Sequence, residues 1–320
     1  MHRSRADIPR PHPYAPFMAR ILVAGLINIE TTLRVDGFPL PYTPVHYAFD
    51  RIHSSVSGVG LNVALALRTL GHEVRLLTLL GGDAAGELAR THLTTHGLMG
   101  PGVLSTLPAT AQSVILYDHS GRREIQVDLK NIQDQTYPLD VYLQAREGCD
   151  LAVLCNINFT RALLAPTRAA GLPIATDVHT LHDLDDAYNR DYLEHASVLF
   201  MSGDALPESP DAWARRVMAR YQPQVVVIGS GAEGAWLHTP ALPAPVRLPA
   251  IGVRPVVNTI GAGDALFSAF LHGHLAGLAP RAALARAILF AGHKIGEISA
   301  AAGFLSANDL EHLARARATP

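Results

Sequence analysis

An α/β fold, a three-layer α/β/α sandwich around a mainly parallel sheet with a small β-sheet lid on top, is what this sequence predicts. Three observations carry the prediction. From residue 150 onward, short apolar runs at 151–154, 173–177, 198–201 and 225–228 alternate with helical segments. Runs of this kind suit parallel strands buried on both faces, and the alternation lays helices on either side of the sheet. Two pairs of shorter segments with apolar–polar alternation fall outside this rhythm and belong on a separate small sheet. Finally, glycine-punctuated turns at residues 57–62 and 258–264 run straight into apolar segments with helical character.

The elements follow in order. Residues 20–25 read as a buried strand. Residues 31–36 and 45–49 alternate, so each reads as a half-exposed strand. Residues 58–71 open with glycines and continue as a helix carrying Val63, Ala64, Leu67 and Leu70; 73–80 is a strand. Residues 113–117 and 124–127 form a hairpin around Asp118-His119-Ser120-Gly121, where Ser-Gly marks the turn. The lid strands thus come from about 31–52 and 112–129. A helix at 160–170, a strand at 235–238, and helices from Ala265, from Pro280 and near Asn308 complete the chain.

Composition narrows the function. The chain has 320 residues, 48% hydrophobic and 17% charged, enough for one large core and a single domain over 20–320. With 26 basic and 28 acidic residues the net charge is −2, which argues against a nucleic-acid surface. No apolar run reaches the ~18 residues that span a membrane. Cys149 and Cys155 lie in or beside an apolar run and read as buried thiols, which suits a reducing, cytoplasmic setting. Residues 1–19 hold four prolines and three arginines without an apolar stretch and are expected to be a disordered extension.

The chemistry concentrates in the loop at 258–264. Gly261 and Gly263 let the backbone turn tightly and approach a ligand. The amides at the start of the following helix point into the loop, and the helix dipole favours an anion there. Asp264 is the carboxylate at this helix start, and its natural role beside an anion nest is that of a base next to a phosphate. The loop at 57–62 is a second glycine-rich turn, with Gly58 and Gly60 permitting close approach and Asn62 offering donors and an acceptor. Gly229-Ser230-Gly231-Ala232-Glu233-Gly234 has the G-x-G-x-x-G form, but a strand-like segment follows and no carboxylate lies between Glu233 and Asp264. It therefore reads as a turn over a nucleotide rather than a dinucleotide fingerprint. The P-loop and H-E-x-x-H patterns are absent, and the 16 histidines scatter, His179 and His182 being the tightest pair near carboxylates.

These residues resemble the ribokinase-type (PfkB) carbohydrate kinase family over about 20–312. Residues 258–264 are similar to its C-terminal D-T-x-G-A-G-D signature, 57–62 to its G-G-x-G-x-N signature, and 25–30 to its first-strand motif ending in an acidic substrate ligand. The resemblance implies a ribokinase-like fold and ATP-dependent phosphorylation of a hydroxymethyl group on a small sugar or sugar acid. Asp264 would be the base, and the amides of Gly261, Ala262 and Gly263 the anion hole. Asn28, Glu30, Gly58, Gly60 and Asn62 would hold the substrate; Ser202, Ser230, Gly231, Gly234, Asn258 and Gly292 would line the nucleotide. Mg²⁺ would be held mainly through phosphates and water, with Asp204 or Glu208 as candidate carboxylates, and a monovalent cation is compatible with the pattern. A homodimer through an exposed lid edge is expected.

Some residues depart from the family pattern. Asn258 replaces Asp, Ser57 replaces Gly, Val59 stands where ribokinase-branch members often carry Lys, and Glu30 is one methylene longer than the usual Asp. The family's N-x-x-E motif, expected near 202–205, reads Ser202-Gly203-Asp204-Ala205. That last departure motivates an alternative, a catalytically silent sugar- or nucleotide-binding protein. Tyr47 and Phe49 on the lid motivate another, a nucleoside kinase of the same family.

Overall fold

The computed structural model describes residues 17–318; the extension expected at the N-terminus lies, up to residue 16, outside the described residues. The large sheet has nine strands. Seven are parallel: β1 (Arg20–Ala24), β4 (Glu73–Gly81), β5 (Val103–Leu107), β8 (Leu151–Leu154), β9 (Ile174–Asp177), β10 (Val198–Ser202) and β11 (Val225–Gly229). Two antiparallel strands, β12 (Ala235–His238) and β13 (Val246–Leu248), extend one edge. The order is β13-β12-β11-β10-β9-β8-β1-β4-β5.

The period of two along β1 sends its side chains to opposite layers. Ile21 and Val23 enter one core with α1 (Val59–Thr69), α7 (Ala262–Leu275) and α8 (Pro280–Lys294). Leu22 and Ala24 enter the other, with Tyr142 of α3 (Leu139–Ala145), Leu163 of α4 (Arg161–Ala169), Tyr192 of α5 (Arg190–His195) and Trp213 of α6 (Pro210–Tyr221). This is the three-layer sandwich that the βα rhythm predicts. Helix α9 (Ala307–Ala318) packs on α8. Among the described residues no helix is long and apolar enough to cross a membrane.

The second sheet contains β2 (Asn28–Arg34), β3 (Ile52–Ser57), β6 (Gln112–Tyr117) and β7 (Arg123–Asp128), in the order β3-β2-β6-β7. One sequence expectation fails here. Residues 45–49 are not a strand; Val45, Tyr47 and Phe49 are exposed, and the segment pairing with β2 begins at Ile52. Alternation alone marks a strand only where one face finds a core, and residues 45–49 have none. The strand that does form, Ile-His-Ser-Ser-Val-Ser, is too polar to announce itself. Helix α2 (Ala84–Thr95) and β5 are further additions to the sequence reading. Cys155 is buried, whereas Cys149 is only partly so.

Register decides what the small sheet presents. Glu30 pairs across with Ser55 on β3 and Ser113 on β6, and Ser113 in turn with Val127 on β7. Directly paired residues share a face, so Glu30, Ser113, Ile115, Ile125 and Val127 form one face. Ile115 packs against Ile260 and Ala300, which turns that face toward the glycine loop before α7.

Candidate active site

The site lies where the carboxyl ends of the parallel strands meet the small sheet, the place where open α/β sheets bind ligands. Leaving β1, the chain crosses Gly25 and enters β2, bringing Asn28 and Glu30 onto the inner face, both buried. Helix α1 is pressed against this crossing. A Cβ on Gly60 would lie 2.5 Å from the Gly25 carbonyl carbon, and the Gly60 amide donates to Leu26 O at 3.0 Å. Gly60 therefore serves helix–strand contact, and its amide is used within the fold. Gly58 has φ 104°, a conformation only glycine adopts without strain.

Close packing of α1 on α7 joins the two glycine loops. Asn62 Nδ2 donates to Asp264 Oδ2 at 2.7 Å. Ser57 Oγ lies 3.2 Å from Glu30 Oε2 and 3.4 Å from Asn62 Oδ1, so a continuous polar chain runs Glu30–Ser57–Asn62–Asp264. The second carboxylate oxygen of Glu30, Oε1, is buried with no partner among the described residues, and so is Asn28 Oδ1, although Asn28 Nδ2 donates to Ser113 Oγ at 2.9 Å. Two buried acceptors open on the inner face can take hydrogen bonds from the hydroxyl or amine groups of a ligand.

At the start of α7, Gly261 occupies the N-cap position with φ 76°. Its missing Cβ matters, since one would sit 2.8 Å from Ala300 O. The Ala262 amide is used in a turn to Thr259 O at 3.2 Å, while those of Gly261 and Gly263 find no acceptor among the described residues. Two free amides at a helix N-terminus make an anion seat.

Burial raises the Asp264 carboxyl above the usual carboxylate range; Asp177 at the end of β9 pushes the same way, while the Asn62 hydrogen bond and the charges of His179 and Lys294 oppose it. Glu30 is also raised, first by burial and then by the charge of Asp264, against the Ser57 hydrogen bond, Lys294 and Arg123. Asp177, His179 and Lys294 thus belong to the electrostatics of the site, and the sequence reading did not tie them to Asp264.

The residues expected around the nucleotide divide. Ser202 ends β10 opposite Gly229, and Ser230 comes directly after β11, the neighbouring strand; Ser230 Oγ is buried with no partner among the described residues. Gly231 and Gly234 form the turn into β12; a Cβ on Gly234 would meet Leu248 O at 2.0 Å. Both groups of the Asn258 side chain work inside the fold: Oδ1 accepts from Ile260 N at 2.9 Å and Nδ2 donates to Ile298 O at 3.0 Å. Gly292 lies in α8 against Ile251 O, where a Cβ would come to 2.4 Å. Asp204 is exposed, and Glu208 pairs with Arg216 at 2.8 Å. Among the described residues no three His, Cys, Asp or Glu side chains are grouped to hold a metal.

Comparison with known proteins identifies the family and the fold. The pattern of the pfkB family carbohydrate kinases matches residues 18–155 and 211–307. An acarbose 7(IV)-phosphotransferase of an Actinoplanes species is 31% identical over 261 residues, covering 80% of this chain and 85% of that protein. An ATP-dependent ribose-1-phosphate kinase of Halopiger xanaduensis is 28% identical over 257 residues, covering 79% and 84%. Among solved structures, a microbiome-derived acarbose kinase superposes with a TM-score of 0.81 at 26% identity, over 93% of this chain and 99% of that one. A ribokinase of Arabidopsis thaliana complexed with ribose and ATP superposes at 0.74 with 19% identity, covering 93% and 99%, and shows the shared fold. Both glycine loops, the strand that carries Glu30 and the helix that carries Asp264 fall within the matched residues, and the chain belongs to the pfkB family of carbohydrate kinases.

Proposed function

We propose that this kinase transfers the γ-phosphoryl group of ATP to a hydroxymethyl group of a carbohydrate, with Asp264 as the base. The observation that carries the reading is the line of side chains Glu30–Ser57–Asn62–Asp264, which ends beside two unpartnered amides at the start of α7. The buried acceptors Glu30 Oε1 and Asn28 Oδ1 take hydrogen bonds from sugar hydroxyls and so fix which hydroxyl faces Asp264. Asp264 accepts that proton as the substrate oxygen bonds to the γ-phosphorus and the bond to the ADP oxygen breaks. The amides of Gly261 and Gly263 take up the charge on the transferring group. Mg²⁺ would be held mainly through the phosphates and water and would supply counter-charge for them; Asp204 is the open carboxylate on that side, since Glu208 is paired with Arg216. Ser202 and Ser230 face the nucleotide.

The names of the acarbose-phosphorylating relatives place extended carbohydrates in the substrate panel beside small sugars and sugar acids. Exposed apolar side chains at Ile125 and Val127, on the same face as Glu30, offer such a ligand contact area. The nucleoside reading has one observation in its favour: the Tyr47 and Phe49 rings stack 5.9 Å apart and are exposed. A panel of sugars, oligosaccharides and nucleosides assayed by ADP release separates these substrates. Carbohydrate-stimulated release is expected; stimulation by nucleosides alone transfers the assignment to them, and none at all leaves the silent binder. Every residue of β7 is exposed on the sheet edge, and pairing of two copies along it is the oligomeric state we propose, to be read by sedimentation.

A further inference from the structure

Lys294 is the last residue of α8, where a lysine ordinarily complements the helix dipole from the surface. Here it is wholly buried, and its Nζ donates to the carbonyl oxygen of Ile260. That carbonyl belongs to the peptide whose N–H is Gly261's, one of the two free amides of the anion seat. A cation on the oxygen of a peptide draws electron density toward it and leaves the N–H on the opposite side more positive.

The surroundings point the same way. The segment after Lys294 straps the loop down: Val257 and Asn258 amides donate to Ile295 O at 2.8 and 3.0 Å, and Asn258 Nδ2 donates to Ile298 O. Asp264, Glu30 and Glu297 attract the ammonium, and Arg254, itself paired with Glu297 at 3.0 Å, repels it.

We propose that Lys294 is a positioning residue, a built-in cation beneath the anion seat that polarises the Ile260–Gly261 peptide and keeps Asp264 ionised beside Glu30. The proposal rests on the kinase reading for its anion but not for its geometry. Burial lowers the Lys294 pKa to about 8, so its charge is lost as pH rises through that value.

Lys294→Met, close in length and uncharged, tests this. It is expected to lower kcat by about 10- to 100-fold, within the range for weakening an anion-hole donor. It should also move the acid limb of kcat/KM to higher pH, because Asp264 and Glu30 then lose their shared counter-charge. A lysine that only filled space would move neither. Binding of a non-hydrolysable ATP analogue should weaken relative to ADP, a readout that needs no turnover. An analogue-to-ADP affinity ratio equal to that of wild type overturns the proposal. Wild type that binds the analogue but turns over no substrate overturns the kinase reading instead. Where Lys294→Met does not fold, Lys294→Arg and wild type decide: wild-type kcat/KM should fall above about pH 8 and the arginine variant should hold its rate. A wild-type profile flat to well above pH 8 overturns the proposal.

Discussion

Two single residues show how much of the site depends on an atom that is missing and a charge that must be kept. At Gly60, a methyl group would have to share space with the Gly25 backbone at 2.5–2.8 Å, and neither side of that contact is a flexible side chain. Gly60→Ala is expected to destabilise the protein by about 1–3 kcal/mol, the usual cost of overpacking, as measured by urea unfolding. Asp264 makes the contrasting case. Because its carboxyl is raised by burial and by Asp177, the ionised base is lost at a higher pH than an exposed Asp would be. Carbohydrate phosphorylation should therefore rise with pH through that elevated value, and a pH profile of kcat/KM checks it. Asp264 and Asn62 were legible because they sit in glycine loops of recognisable spacing. Lys294 was not. In sequence it is a cation at the end of a helix, and the fold makes it an interior charge bonded to the Ile260 carbonyl.

Among the elements, β3 and α2 show what sequence patterning misses. Ile52–Ser57 forms a strand because β2 offers it a partner, not because its own residues favour one; Val45–Phe49 alternates well and remains a loop. Helix α2 is held by its cap. Asp83 accepts from Gly86 N at 3.0 Å and from Thr110 N and Oγ1 at 3.1 and 2.7 Å, which ties the helix to the segment leading into β6. Asp83→Ala should cost about 1–2 kcal/mol through the lost cap alone. If the tie to Thr110 also positions β6, KM for the carbohydrate should rise while kcat changes less. The parallel strands, in contrast, were readable in place, because a run buried on both faces has to be apolar whatever its neighbours.

Across the whole molecule, histidine burial sets the response to acid. His72 Nδ1 accepts from Ala19 N at 3.1 Å, so its Nε2 carries the proton and donates to His272 Nδ1 at 2.9 Å, which leaves both rings neutral. Burial lowers the His72 pKa to about 4, and His92, His238, His272, His274 and His293 are lowered for the same first cause. Between those depressed values and 6.5 the unfolded chain's histidines bind more protons than the folded chain's, so the stability contributed by the neutral histidines is fully present above pH 6.5 and declines as pH falls toward 4. His72 alone accounts for on the order of 3 kcal/mol across that window. Urea midpoints at pH 7.5 and 5 should show the loss, and His72→Gln should reduce it. The same whole-molecule view joins the fold to its chemistry, since α1 and α7 pack on each other in one layer and the glycines that open them lie against backbone. The most direct measurement of the central claim is mass-spectrometric detection of phosphorylated carbohydrate formed from ATP by wild type and by Asp264→Asn, both checked for folding. The account predicts product with wild type and a loss of at least about 100-fold in its rate of formation with the asparagine variant. Equal rates from the two proteins would contradict it.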